Sequence, residues 1–178
     1  MEAKEMKFLP LAGRTIVCHT ITYMFMGALA AYFFHYAEMM RNPASGMRPM
    51  SSPLVMAGPL WQPIRGIVFA SVIFPLRAAF FGKKNGWLLL SWMLVALGIL
   101  CTFAPAAGSF EGFVFTTVPI LMQLRGWCEV VPQAILLSAL LCYWVNHPQK
   151  KWFGCLLSIL FVLTLALVTL GLCLPAAK

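Results

Sequence analysis

Long apolar runs, broken by short polar or glycine- and proline-rich stretches, dominate the chain. A helix needs about 20 apolar residues to cross a hydrocarbon core, and five segments approach that length, at about 15–36, 59–81, 87–103, 130–145 and 152–174. The second is interrupted by Arg65 and Arg77. The fourth is short, so either it is tilted little or its helix begins earlier, near Pro119, and kinks at Pro132. The pattern predicts an all-α integral membrane protein, a single transmembrane domain over residues 1–178. Its bundle has five transmembrane helices, with four as the variant.

The connections differ in kind. The stretch from Glu38 to Gly58 is rich in proline, methionine, serine and glycine and reads as an ordered loop. Residues 82–86 and 146–151 read as tight basic turns. Residues 105–128 form a long, mostly apolar connection broken by glycine and proline. Such a stretch does not float in water, so residues 110–122 are expected to lie at the interface or to re-enter the membrane.

Composition sharpens this reading. The 178 residues are 61% hydrophobic and 10% charged, with mean hydropathy +0.85, whereas soluble domains carry about 25% charged residues. An ordinary soluble globule, a disordered chain and a coiled coil are excluded. Net charge is +8, yet lysine and arginine cluster at the ends of apolar runs, where topology signals sit. No nucleic-acid partner is expected. With the N-terminus inside, Lys4, Lys7, Arg14, Arg77, Lys83, Lys84, Lys150 and Lys151 lie inside, against Arg41, Arg48, Arg65, Arg125 and Lys178 outside. This bias predicts N-in, C-out insertion, in a bacterial cytoplasmic membrane. The basic N-terminus and Ala28-Leu29-Ala30 resemble a cleaved leader, but the apolar run continues past Ala30, so a retained first helix is expected.

The six cysteines show neither CxxC nor zinc-knuckle spacing, and no metal or other cofactor is expected. They read as small apolar residues, with a Cys128–Cys173 disulfide open only on an oxidising side. Methionine is abundant, at Met24, Met26, Met39, Met40, Met47, Met50 and Met56 among others. Flexible packing filler is the plainer reading, and a methionine-lined copper path the sharper one.

The candidate chemistry is polar and lies toward the predicted outer side. Arg65, Arg125, Gln62 and Gln123 are candidates for binding an anion or a lipid headgroup. Glu111 and Glu129 are the acids that could pair with the arginines or transfer a proton. The segments Pro59–Gly66 and Pro119–Gly126 echo one another, each placing glutamine and Arg-Gly before a predicted span. On the first helix His19, Tyr23 and Gly27 share a face and are candidate pore-lining residues. Gly27 and Ala31 form a small-xxx-small pair that favours close helix approach. His19 and His35 are about 24 Å apart along a helix, too far to share a metal or one catalytic site.

No hydrolase elbow, zincin motif, phosphate loop or aspartate pair occurs, so the reading leans away from an enzyme. The leading expectation is a small channel- or transporter-like protein. A non-catalytic accessory or sensor subunit is the alternative, and a lipid-modifying enzyme using Glu111 or Glu129 the second. The polar first helix calls for burial by a homo-oligomeric copy or a membrane partner subunit, within the lipid bilayer. The predicted orientation is testable in a cysteine-replaced chain. An impermeant thiol reagent on intact cells should label Arg48→Cys and Arg125→Cys and spare Lys83→Cys and Lys150→Cys; the reverse pattern inverts the topology.

Overall fold

The computed structural model describes residues 6–41 and 47–173. Lys4, Lys178 and the last residue of the fifth predicted span fall outside the described residues. Among those described, the chain is helical throughout, without a strand. α1 spans Phe8–Phe33, α8 Ile120–Asn146 and α9 Lys151–Cys173, and these three are long and apolar enough to cross a membrane. α4 covers Gly58–Ile73, and α6 covers Gly86–Val95 before widening into a π turn over Ala96–Leu100. Four short helices complete the set: α2 (Tyr36–Met39), α3 (Pro53–Met56), α5 (Arg77–Phe80) and α7 (Phe110–Phe115).

Several boundaries depart from the sequence expectation for local reasons. α1 begins seven residues earlier, at Phe8 rather than 15, because Arg14 can sit inside the helix with its guanidinium 5.8 Å from the Trp144 ring. α4 stops before Pro75, which has no N–H to continue the ladder. At 1.5 Å per residue the 16 residues of α4 rise about 24 Å, less than the ~30 Å hydrocarbon core. α6 with its π turn is shorter still, so length alone gives three crossings rather than five. α8 starts at Ile120, with Pro119 as its N-cap and Pro132 inside.

The apolar connection is therefore part helix. Ser109 caps α7 by accepting the Gly112 N–H at 3.0 Å. Gly108, at φ 89°, makes the turn before it, a conformation natural only to glycine. Two side chains from the first turns of α8 hold this turn. Gln123 Oε1 accepts the Gly108 N–H at 2.9 Å and its Nε2 donates to Val118 O at 2.9 Å. Trp127 Nε1 donates to Gly108 O at 2.8 Å. Phe110, Val114, Phe115, Ile120 and Leu121 stay exposed.

α1 is the centre of the bundle, packed against α4, α8 and α9. Its buried residues Leu11, Thr15, Cys18, Thr22, Met26 and Ala30 recur every three or four positions, the spacing of one helical face. The hydroxyls on that face bond backward along the helix, Thr15 to Leu11 O and Thr22 to Cys18 O, each at 2.9 Å. One end of the bundle gathers Phe8 with Phe74, Arg14 with Trp144, and Gly82 N–H with Asn146 Oδ1. The other end gathers Tyr23, Gly58, Glu129 and Tyr36. The cysteines are all free thiols, Cys128 and Cys173 included.

α4 meets α1 backbone to backbone at Gly66. A Cβ there would lie 2.7 Å from Ile16 Cα and 3.0 Å from its Cγ1. Gly66→Val should therefore lower stability by about 2 kcal/mol or more. Gly13→Ala, on open α1 surface, should be neutral or stabilise by up to about 1 kcal/mol. Thermal unfolding of the detergent-solubilised protein reads both, and equal effects would mean the close approach is not the constraint.

Candidate functional site

Two cavities flank the polar part of α1. The larger, about 530 Å³, lies at the Tyr36 end of the bundle. α1 contributes Tyr23, Met24, Gly27 and Ala31, α8 contributes Met122, Arg125 and Glu129, and α9 contributes Val168. α2 and the following segment close it with five further methionines, Met39, Met40, Met47, Met50 and Met56.

Its polar centre is Glu129. Tyr36 donates its hydroxyl to Glu129 Oε2 at 2.5 Å, the short length seen when a hydroxyl donates to a carboxylate. The backbone at His35 makes this contact possible. At φ 50°, ψ 48° it is left-handed, a region histidine tolerates better than most residues. The kink ends α1 and swings Tyr36 back over α8. Burial and the bond to Glu129 both push the Tyr36 phenol above its ordinary pKa. Gly27 presents bare backbone to the carboxylate, since a Cβ there would sit 3.7 Å from Glu129 Oε1. Tyr23 rests its hydroxyl on α4, 3.0 Å from where a Gly58 Cβ would be.

The smaller cavity, about 140 Å³, is lined by His19, Arg65, Phe69, Gln133 and Ala134, with Gly98 and Ile99 of the π turn. His19 is 1% exposed and its Nε2 lies 3.0 Å from Gln62 Oε1. Gln62 Nε2 donates to Gly58 O at 2.9 Å, which fixes the amide with its oxygen toward the imidazole. His19 Nε2–H is thus the donor. Nδ1 keeps a lone pair with no partner among the described residues. Arg65 Nη1 donates to the same Gln62 oxygen at 3.4 Å and lies 6.0 Å from the Phe69 ring.

The structure sorts the predicted residues accordingly. Tyr23, Gly27, Gln123, Arg125 and Glu129 reach the larger cavity, and His19 and Arg65 the smaller. Gln62 and Gln123 are 4% and 3% exposed, with their amides engaged internally. They clamp neighbouring segments together. Glu129 takes Tyr36 instead of an arginine, and Arg65 takes Gln62 instead of a carboxylate. Glu111 sits exposed in the first turn of α7, on neither cavity. Gln133, polar at the start of the fourth predicted span, is legible in the sequence; Tyr36 and the π turn are not. Tyr36 gave no signal, because its placement depends on the kink at His35. The methionine density over 39–56 is visible in the sequence, where packing is its plainer reading.

Compared with models of protein families, with curated proteins and with solved structures, the chain has no match.

The His19–Gln62 pair makes a test of the deeper site. Gln62→Leu leaves a buried imidazole N–H without an acceptor and should cost about 1–3 kcal/mol. Adding His19→Leu removes both partners and should recover part of that loss. Strictly additive effects in a double-mutant cycle would show that the two side chains are not coupled.

Proposed function

We propose that this chain is a small transporter-like membrane protein whose path runs along α1 through both cavities. The observation that carries the reading is their stacking. On α1, His19 lies four residues before Tyr23, which lines the larger cavity. On α8, Gln133 lies four residues after Glu129. Four residues of helix rise about 6 Å, so the same two helices line the wide cavity and, one turn deeper, the narrow one. Ionisable side chains inside a membrane bundle are rare and mark solute, ion or proton routes. The large cavity also has the size and the apolar lining with few polar groups that small-molecule sites share.

In this reading α4 and α6 cross as well, giving five passes. Ile64, Ile67, Val68 and Val72 on α4 and Leu88, Leu89, Trp92 and Leu97 along α6 and its π turn are exposed as lipid-facing residues would be. The lysine and arginine bias then places the methionine-lined cavity outside and the basic turns inside. α9, with only Gly154 and Leu157 buried, offers a face for a second copy.

Potassium, silver, chloride and proton fluxes into proteoliposomes test the proposal, with oligomer mass measured on the same sample. At least one flux should exceed that of empty vesicles. It should fall about tenfold or more in Glu129→Gln, which weakens the polar centre, and in Ala134→Leu, which fills the narrow cavity. No flux from protein shown to be folded would sink the transporter reading and favour an accessory subunit.

A further inference from the structure

We infer that the large cavity is a thioether site for a soft monovalent cation, Cu(I). The inference rests on the reading of this cavity as the solute site and names the class of solute.

The first observation is what these methionines do not do. Met6 and Met26 are 5% and 8% exposed and serve as core packing. Those on the cavity wall are different. Met24, Met50 and Met56 are 38%, 37% and 43% exposed, and Met39, Met40 and Met122 are partly exposed. They come from α1, α2, the segment before α3, α3 itself and α8, so separate parts of the chain bring methionine to one cavity wall. Filler is expected in the core, where irregular gaps need it.

The second observation is the donor set. Among the described residues lining this cavity there is no imidazole and no thiol, so zinc lacks its usual ligands. Glu129 is the only carboxylate on the wall, far short of the oxygen shell that calcium requires. Thioethers are soft, uncharged donors, and they select Cu(I) over harder ions. A monovalent cation also fits the charge. Neutral sulfurs cancel none of it, and the Glu129 carboxylate, held by Tyr36, cancels one unit. Arg125 lines the same cavity but is exposed and makes no ion pair with Glu129. Binding as Cu(I) needs no electron transfer at the site.

The competing occupant is an apolar or amphiphilic molecule, for which methionine would be only an adaptable surface. Leucine separates the two, because it keeps the apolar volume and removes the sulfur. The probe is Ag(I), a redox-silent stand-in for Cu(I), titrated calorimetrically into detergent-solubilised full-length protein. Accessible cysteines such as Cys128 are alkylated beforehand. The expected result is one Ag(I) per chain, with affinity lowered at least about tenfold in Met24→Leu/Met50→Leu/Met56→Leu. Cu(I) bound to the alkylated protein should show a sulfur-dominated first shell by X-ray absorption. Met56→Leu alone, on a short exposed helix, supplies a weaker version should the triple variant not fold. Failure of wild-type protein to bind Ag(I), or undiminished binding in the leucine variants, overturns the inference. Potassium or chloride flux without Ag(I) binding would leave the transporter reading standing and remove the copper assignment. Thioether-dependent Ag(I) binding without any flux would do the opposite.

Discussion

Everything at the candidate site depends on how closely α4 can lie against α1. Gly66 removes the side chain that would otherwise hold the two backbones apart at Ile16. One turn earlier on α4, Gln62 can then reach across to His19. In a hydrocarbon environment a polar side chain must find its partner inside the protein. The glycine contact and the glutamine–histidine bond therefore support one another. The first sets the distance the second needs, and the second prevents the helices from sliding along a contact that has little directional preference of its own.

From that crossing the remaining geometry follows. With α4 seated on α1, the hydroxyl of Tyr23 comes to rest on Gly58, and α8 fills the other side of α1 with Glu129 opposite Gly27. Small residues on α1 thus do two jobs. They let neighbouring helices approach, and they leave a bare surface against which a carboxylate can stand. Arg14 meets Trp144 at the basic end, and the cavity lies toward the other. The chain closes that end with short helices and methionines rather than with another long helix.

Helix existence was legible in the sequence wherever apolar runs exceeded a membrane's thickness, and boundaries were not. α8 illustrates why. Its first ten residues contain Gln123, Arg125, Cys128 and Glu129, so the apolar run begins only at Val130, and a start near Pro119, the one the helix adopts, is just one of two readings of the pattern. α4 and α6 show the converse. Apolar composition carried the expectation past Pro75 and through the π turn, although backbone chemistry ends or widens the helix there. The site was half legible. His19, Tyr23, Gly27, Arg125 and Glu129 stand out as polar or small residues in apolar surroundings. Their division between two cavities is set by helix rotation and by the kink at His35, and neither is encoded in periodicity.

The polar face of α1 also has a consequence in time. Tyr36 and its partner Glu129 are 93 residues apart, and His19 and Gln62 are 43 apart. At synthesis rates of about 5–20 residues per second, the longer interval takes about 5–20 s. Over the shorter of the two, about 2–9 s, α1 carries a histidine whose partner Gln62 has not yet been made. Contacts this distant in sequence close late. The helix at the centre of the finished bundle therefore waits for partners that lie later in the chain.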